Sequence, residues 1–69
     1  SACLAEATAY VKNAIAAIYA SETVPAFANS ACQANATKPS DVSGTWTVAP
    51  KAPGTGTVSC ALDTGNCHL

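Results

Sequence analysis

Apolar residues recur at helical spacing in the first third of the chain. Leu4, Ala7, Val11, Ala14, Ile15 and Ile18 fall, at ~100° per residue, within a band of roughly 100° on a helical projection. Glu6, Lys12 and Asn13 lie on the other side, and neither Gly nor Pro interrupts the stretch. Alanine, the strongest helix former, dominates it. The pattern predicts a core-facing helix over about 2–21. Cys3 and Tyr10, seven residues apart, flank the apolar stripe together, so Cys3 can reach a segment lying alongside the helix. The beginning is poorly marked: Ser1 is the available N-cap, but position 4 is Leu and not the Glu or Gln of a capping box. The favoured expectation, over ordinary fraying, is that the chain starts inside a longer helix.

The periodicity then disappears. From Glu22 to Ser43 the residues are small and polar and include Pro25 and Pro39. A loop this long is functional or tied down; Val24 and Phe27 are its expected anchors on the helix, and Cys32 sits centrally. "GTWTVAP", Gly44–Pro50, alternates, with Trp46 and Val48 on one face and Thr45 and Thr47 on the other. "KAPG" reads as a turn and "TGTVSCAL", Thr55–Leu62, as a second strand with Val58, Cys60 and Leu62 on one face. A hairpin across Pro50–Gly54 is the natural pairing, and a third short strand near the C-terminus is a weaker expectation. The fold class is α+β: one long N-terminal α-helix packed on a small antiparallel β-sheet.

Length makes this arrangement precarious. A chain of 69 residues is one domain, and a core of that size rarely contributes more than about 3–5 kcal/mol net. Hydrophobic residues make up 49%, but many are alanine. The large apolar inventory is little more than Leu4, Val11, Ile15, Ile18, Val24, Phe27, Val42, Trp46, Val48, Val58 and Leu62. Staples are therefore expected, and four cysteines supply them: Cys3, Cys32, Cys60 and Cys67. No CxxC pair exists, and the one histidine, His68, directly follows Cys67, so neither a zinc site nor a thioredoxin-like redox site fits. Three disulfide connectivities are open. Pairing Cys60 with Cys67 is the most local and leaves Cys3 with Cys32; this is the expected pairing. In the chain-entropy picture the two bridges contribute roughly 2.5 and 3.5 kcal/mol, and they imply an oxidising compartment.

Charge narrows the classes further. Three lysines against four acidic residues leave a net charge of −1, without the basic patch of a nucleic-acid binder. No stretch approaches the ~18–20 apolar residues of a membrane span. Glu6, Glu22, Asp41 and Asp63 are scattered, and His68 beside a bridged Cys67 has no nucleophile to activate, so no enzyme, cofactor or metal is expected. Asp63-Thr64-Gly65-Asn66 lacks the acidic array and closing Glu of a calcium loop and reads as a turn. "NAT" at Asn35–Thr37 matches a glycosylation sequon and marks an exposed loop. Trp46, Tyr10 and Tyr19, unaccompanied by basic residues, suit core and interface packing. The residues together describe an extracytoplasmic structural or interaction module.

One resemblance adds a function. "ACLAEATAYVKNAIAAIYA", Ala2–Ala20, followed by a small-residue loop, resembles type IV pilins of Gram-negative bacteria, many of which carry an "ACLxEAxxY"-like stretch in the exposed half of their first helix. Such pilins also end in a disulfide-closed loop, which "CALDTGNC" matches in position. The resemblance implies a single head domain over 1–69, with an αβ-loop at about 22–43, a hairpin region at about 44–62 and a disulfide-bounded loop at 60–67. Asp63, Thr64, Gly65 and Asn66 would form an exposed contact loop. A preceding hydrophobic half-helix would anchor the subunit in the inner membrane before assembly and pack in the filament core afterwards. The implied role is a structural subunit of an extracellular pilus used in adhesion, twitching motility and DNA uptake. The implied partners are other pilin subunits, the pilus assembly machinery and host or abiotic surfaces. The head is short for the family, and the second cysteine pair occurs in only some members. The alternatives are a minor pilin or pseudopilin, or a small secreted disulfide-rich binding protein.

Overall fold

The computed structural model describes all residues from Ser1 to Leu69 and is α+β, with helix α1 (Ala2–Tyr19) followed by strands β1 (Thr45–Val48), β2 (Val58–Ala61) and β3 (Asn66–His68). The strands form an antiparallel meander in the order β1-β2-β3. Trp46 faces Cys60 and Val48 faces Val58 across the first pair, and Cys60 faces Cys67 across the second. The short third strand is present.

At the start of α1 the Ser1 hydroxyl accepts a hydrogen bond from the Leu4 N–H at 3.2 Å, which satisfies one of the orphan donors of the first turn. The helix ends two residues before the predicted boundary. Ser21 adopts φ +56°, its N–H donates to the Ile18 carbonyl at 3.1 Å, and the Glu22 N–H donates to the Ala17 carbonyl at 2.8 Å. This pair of bonds is a Schellman termination with serine, in place of the usual glycine, in the left-handed position.

The core holds Cys3, Ala7, Tyr10, Val11, Ala14, Cys32, Trp46, Val48, Val58, Cys60 and Leu62. On α1 the buried residues are Cys3, Ala7, Tyr10, Val11 and Ala14, whereas Leu4, Ile15 and Ile18 are only half-buried. At 100° per residue the buried band is rotated about 45° from the centre of the six-residue apolar stripe, toward Cys3 and Tyr10. Two tertiary attachments account for the rotation. Cys3 is bonded to Cys32, and Tyr10 packs in a trio with Phe27 and Trp46, ring centroids 5.0–5.2 Å apart. Alanines at positions 7 and 14, fully buried, let the sheet approach the helix closely.

The connection after β1 departs from the expected hairpin. β2 begins at Val58, not Thr55, and nine residues, 49–57, separate the paired strands. The chain after Val48 pairs elsewhere: the Gln33 N–H donates to the Ala49 carbonyl at 2.8 Å, and the Lys51 N–H donates to the Ala31 carbonyl at 2.9 Å. Cys32 and Pro50 thereby form an isolated antiparallel bridge. Backbone hydrogen bonds that a tight hairpin would have used are spent on holding the loop 22–43 to the sheet. The return turn closes when the Gly54 N–H donates to the Lys51 carbonyl at 2.9 Å.

Candidate functional site

Two regions present polar groups on this scaffold: the hairpin at the C-terminal end and the loop between α1 and β1. Cys60 and Cys67 are bonded, their Cα atoms 4.0 Å apart on directly opposed positions of β2 and β3. The turn they close is tight. The Gly65 N–H donates to the Ala61 carbonyl at 2.8 Å, and the Asn66 N–H donates to the Thr64 hydroxyl at 3.3 Å. Leu62 points into the core, while Asp63, Thr64 and Asn66 are exposed. Gly65 is buried: with φ +77° it lies beneath the Lys12 and Ile15 side chains, which a Cβ at this position would meet at 3.3 and 3.4 Å. Of the four residues expected in an exposed loop, three are displayed and the fourth anchors the turn against α1.

The loop 22–43 has no helix or strand of its own, yet its polar groups are tied at many points. The Cys3–Cys32 disulfide, Cα atoms 4.8 Å apart, fixes its middle to the start of α1. Beside that bridge the Glu6 carboxylate accepts the Ser30 N–H at 2.9 Å and the Ala31 N–H at 2.6 Å. Those two amides, Ala31 foremost, with smaller contributions from the Cys32 amide and Lys51, hold the Glu6 carboxyl below its ordinary value of 4.5 despite an opposing effect of burial. Tyr10 donates from its hydroxyl to the Pro25 carbonyl at 2.8 Å, and burial raises its pKa above 10.0. Further along, the Trp46 indole N–H donates to the Thr37 carbonyl at 2.8 Å, and the Asn35 amide donates to the Thr47 carbonyl at 2.7 Å. These bonds cover the outer edge of β1.

Sequence reading assigned Glu6 to the solvated side of the helix and gave it no task. Its distance in sequence from Ser30 and Ala31 hides the contact, and the only available signal was a carboxylate one turn from Cys3. Asn35 was read as an exposed loop residue; it is half-buried and bonded to β1.

A concavity of about 230 Å³ opens between the two limbs of the loop, lined by Ala26, Phe27, Ala34, Asn35, Ala36 and Lys38. No three His, Cys, Asp or Glu side chains converge as a metal site. Asp41 is occupied locally, accepting from the Val42 N–H at 2.7 Å and the Ser43 hydroxyl at 3.2 Å, and the His68 ring lies 3.0 Å from the Leu69 carbonyl. No helix is long and apolar enough to cross a membrane. Compared with known protein families, characterised proteins and solved structures, the chain matches none of them.

Proposed function

We propose that this chain is the head of a type IV pilin-like subunit, a structural component of an extracellular filament. The observation that carries the reading is the covalent stitching of both ends of a helix-on-meander scaffold. Cys3–Cys32 ties the long loop to the first turn of α1, and Cys60–Cys67 ties the last strand to the central one. Filament heads are exposed to proteases and to pulling forces, and cross-links at these points keep their loops folded. The motif "ACLAEATAY" on an N-terminal helix and the disulfide-closed terminal hairpin support the same reading.

On this reading the subunit functions without catalysis. Identical copies stack through an apolar half-helix preceding Ser1, inserted in the inner membrane before assembly. The heads face outward and carry adhesion, and other proteins of the assembly machinery drive extension and retraction for motility and DNA uptake. Direct nucleic-acid binding has no support from three dispersed lysines. The Asp63–Asn66 turn is the proposed contact surface, because its exposed carboxylate, hydroxyl and amide are held by the disulfide and by Gly65 at no ordering cost on binding.

The test is the sheared-filament fraction of the producing cell, analysed by mass spectrometry for the linked Cys60–Cys67 peptide. This chain is expected as a dominant component, and its absence or presence only in trace amounts would rule out the major-subunit role. The gene gives an independent check: a prepilin-type cleavage site and an apolar helix directly before the Ser1 codon are expected. A conventional signal peptide ending there would instead make the chain a small secreted binding protein.

A further inference from the structure

The concavity in the loop 22–43 and the exposed end of α1 are complementary. Its lining is apolar, from Ala26, Phe27, Ala34 and Ala36, with Asn35 and the exposed Lys38 completing it. At about 230 Å³ it falls below the ~300–1,000 Å³ of sites that enclose small-molecule ligands, and it suits one side chain. Tyr19, at the last helical position, is 71% exposed and is the most exposed large apolar residue of the chain. Three residues on stands Glu22, exposed, its N–H held by the Ala17 carbonyl at 2.8 Å so that it stays at the helix end.

The remaining charges sharpen the match. Of the three lysines, Lys12 packs over Gly65, Lys51 lies on the Glu6 side of the molecule, and Lys38 is the one that lines the groove. Of the four acids, Glu6 holds the Ser30 and Ala31 amides and Asp41 holds Val42 and Ser43. Glu22 and Asp63 are the two acids left without a hydrogen-bond partner, and of these Glu22 adjoins the exposed aromatic at the helix end, while Lys38 is the cation that lines the apolar socket.

We propose that the groove receives Tyr19 of a second copy of this chain, with that copy's Glu22 beside Lys38. The contact joins two different patches, so it can repeat from copy to copy, and a buried aromatic at its centre with a charge pair at its rim is the usual anatomy of a specific interface. The inference adds a head-to-head contact to the filament reading above, but it is tested in solution and does not depend on finding the chain in fibres.

The experiment is NMR on the 69-residue chain, comparing micromolar and millimolar samples. The amides of Ala26, Phe27, Ala34, Ala36 and Lys38 should shift with concentration together with those of Tyr19 to Glu22. In a sample mixing labelled and unlabelled chains, intermolecular contacts should link the Tyr19 ring to the Ala34 and Ala36 methyls. Tyr19→Ala, an exposed position that leaves the core intact, should abolish these shifts. Lys38→Glu should weaken association by about two- to five-fold, the size of an exposed charge pair, and Glu22→Lys combined with Lys38→Glu should restore it. Groove amides that stay unmoved at millimolar concentration, or Tyr19 contacts with any other surface, would overturn the proposal. If the contact forms but sheared filaments lack the chain, the filament reading fails and the self-docking stands; the converse result fails only the docking.

Discussion

Glu6 shows how one side chain organises a segment that has no regular structure. Its two oxygens accept consecutive amides, Ser30 and Ala31, immediately before the bridged Cys32. The carboxylate thus takes up backbone donors that the loop cannot satisfy through a ladder of its own. Because these bonds favour the charged form, its folded-state pKa lies below 4.5. A carboxyl lowered in this way contributes stability above its unfolded pKa, and that contribution is lost as pH falls through the lower, folded value. Glu6→Gln should therefore be less stable than the parent at about pH 7, and the difference should shrink as the pH is taken below 4.5. Denaturant midpoints of both proteins at neutral and acidic pH check this; a difference that does not change with pH would remove the carboxylate from the account.

At the scale of the element, α1 was the most legible part of the sequence and its end the least. Eighteen residues of alanine-rich, Gly- and Pro-free sequence form the helix, as intrinsic propensity and periodicity dictate. The stop is carried by Ser21 at φ +56°, a residue type that gives no sequence signal for a left-handed cap. Holding a non-glycine residue there costs about 1–2 kcal/mol. Ser21→Gly removes this steric cost against an added backbone entropy of about 0.5–1 kcal/mol, so a net gain of about 0.5–1 kcal/mol is expected. A raised thermal midpoint with an unchanged circular dichroism spectrum is the confirming result. The strands repeat the lesson. Alternation correctly placed Trp46, Val48, Val58, Cys60 and Leu62 on the buried side. The start of β2 was missed because "TGT" at 55–57 alternates as well as a strand does, while the backbone partners it would need are already taken by Gln33 and Ala31.

The whole molecule is slender, 37 × 19 × 16 Å, with 13 buried residues among 69. The ~27 Å length of an 18-residue helix exceeds both shorter dimensions, so α1 runs along the long axis and everything else drapes over one side of it. Three of the eleven buried core residues are cysteines, Cys3, Cys32 and Cys60, and the partly buried Cys67 packs against them. The disulfides are thus part of the core as well as cross-links upon it. Replacing Cys60 and Cys67 by alanine should cost about 2.5 kcal/mol, the loop entropy of a short closure. Replacing Cys3 and Cys32 should cost more, at least about 3.5 kcal/mol, because the closed loop is longer and both residues are buried. That exceeds the lower end of what a core this small contributes, so the second variant should be largely unfolded at room temperature. Urea melts of the two double variants decide the order, and equal losses would show that loop length does not govern their contribution.

By itself the sequence determined the helix, the inward parity of the strands and the need for staples, and it favoured the pairing that supplies them, which the structure fixed. Each follows from local spacing or from the small size of the core, which are readable along one dimension. Only the tertiary structure decided how far the buried side of α1 turns from the middle of its apolar stripe toward Cys3 and Tyr10, which the bridge to Cys32 and the Tyr10–Phe27–Trp46 packing draw into the core. Only it brought Glu6 to the Ser30 and Ala31 amides, set Gly65 beneath Lys12, and diverted the chain after β1 to the loop 22–43. Those choices depend on backbone donors and acceptors competing for partners across distant parts of the chain, a competition that no local pattern records.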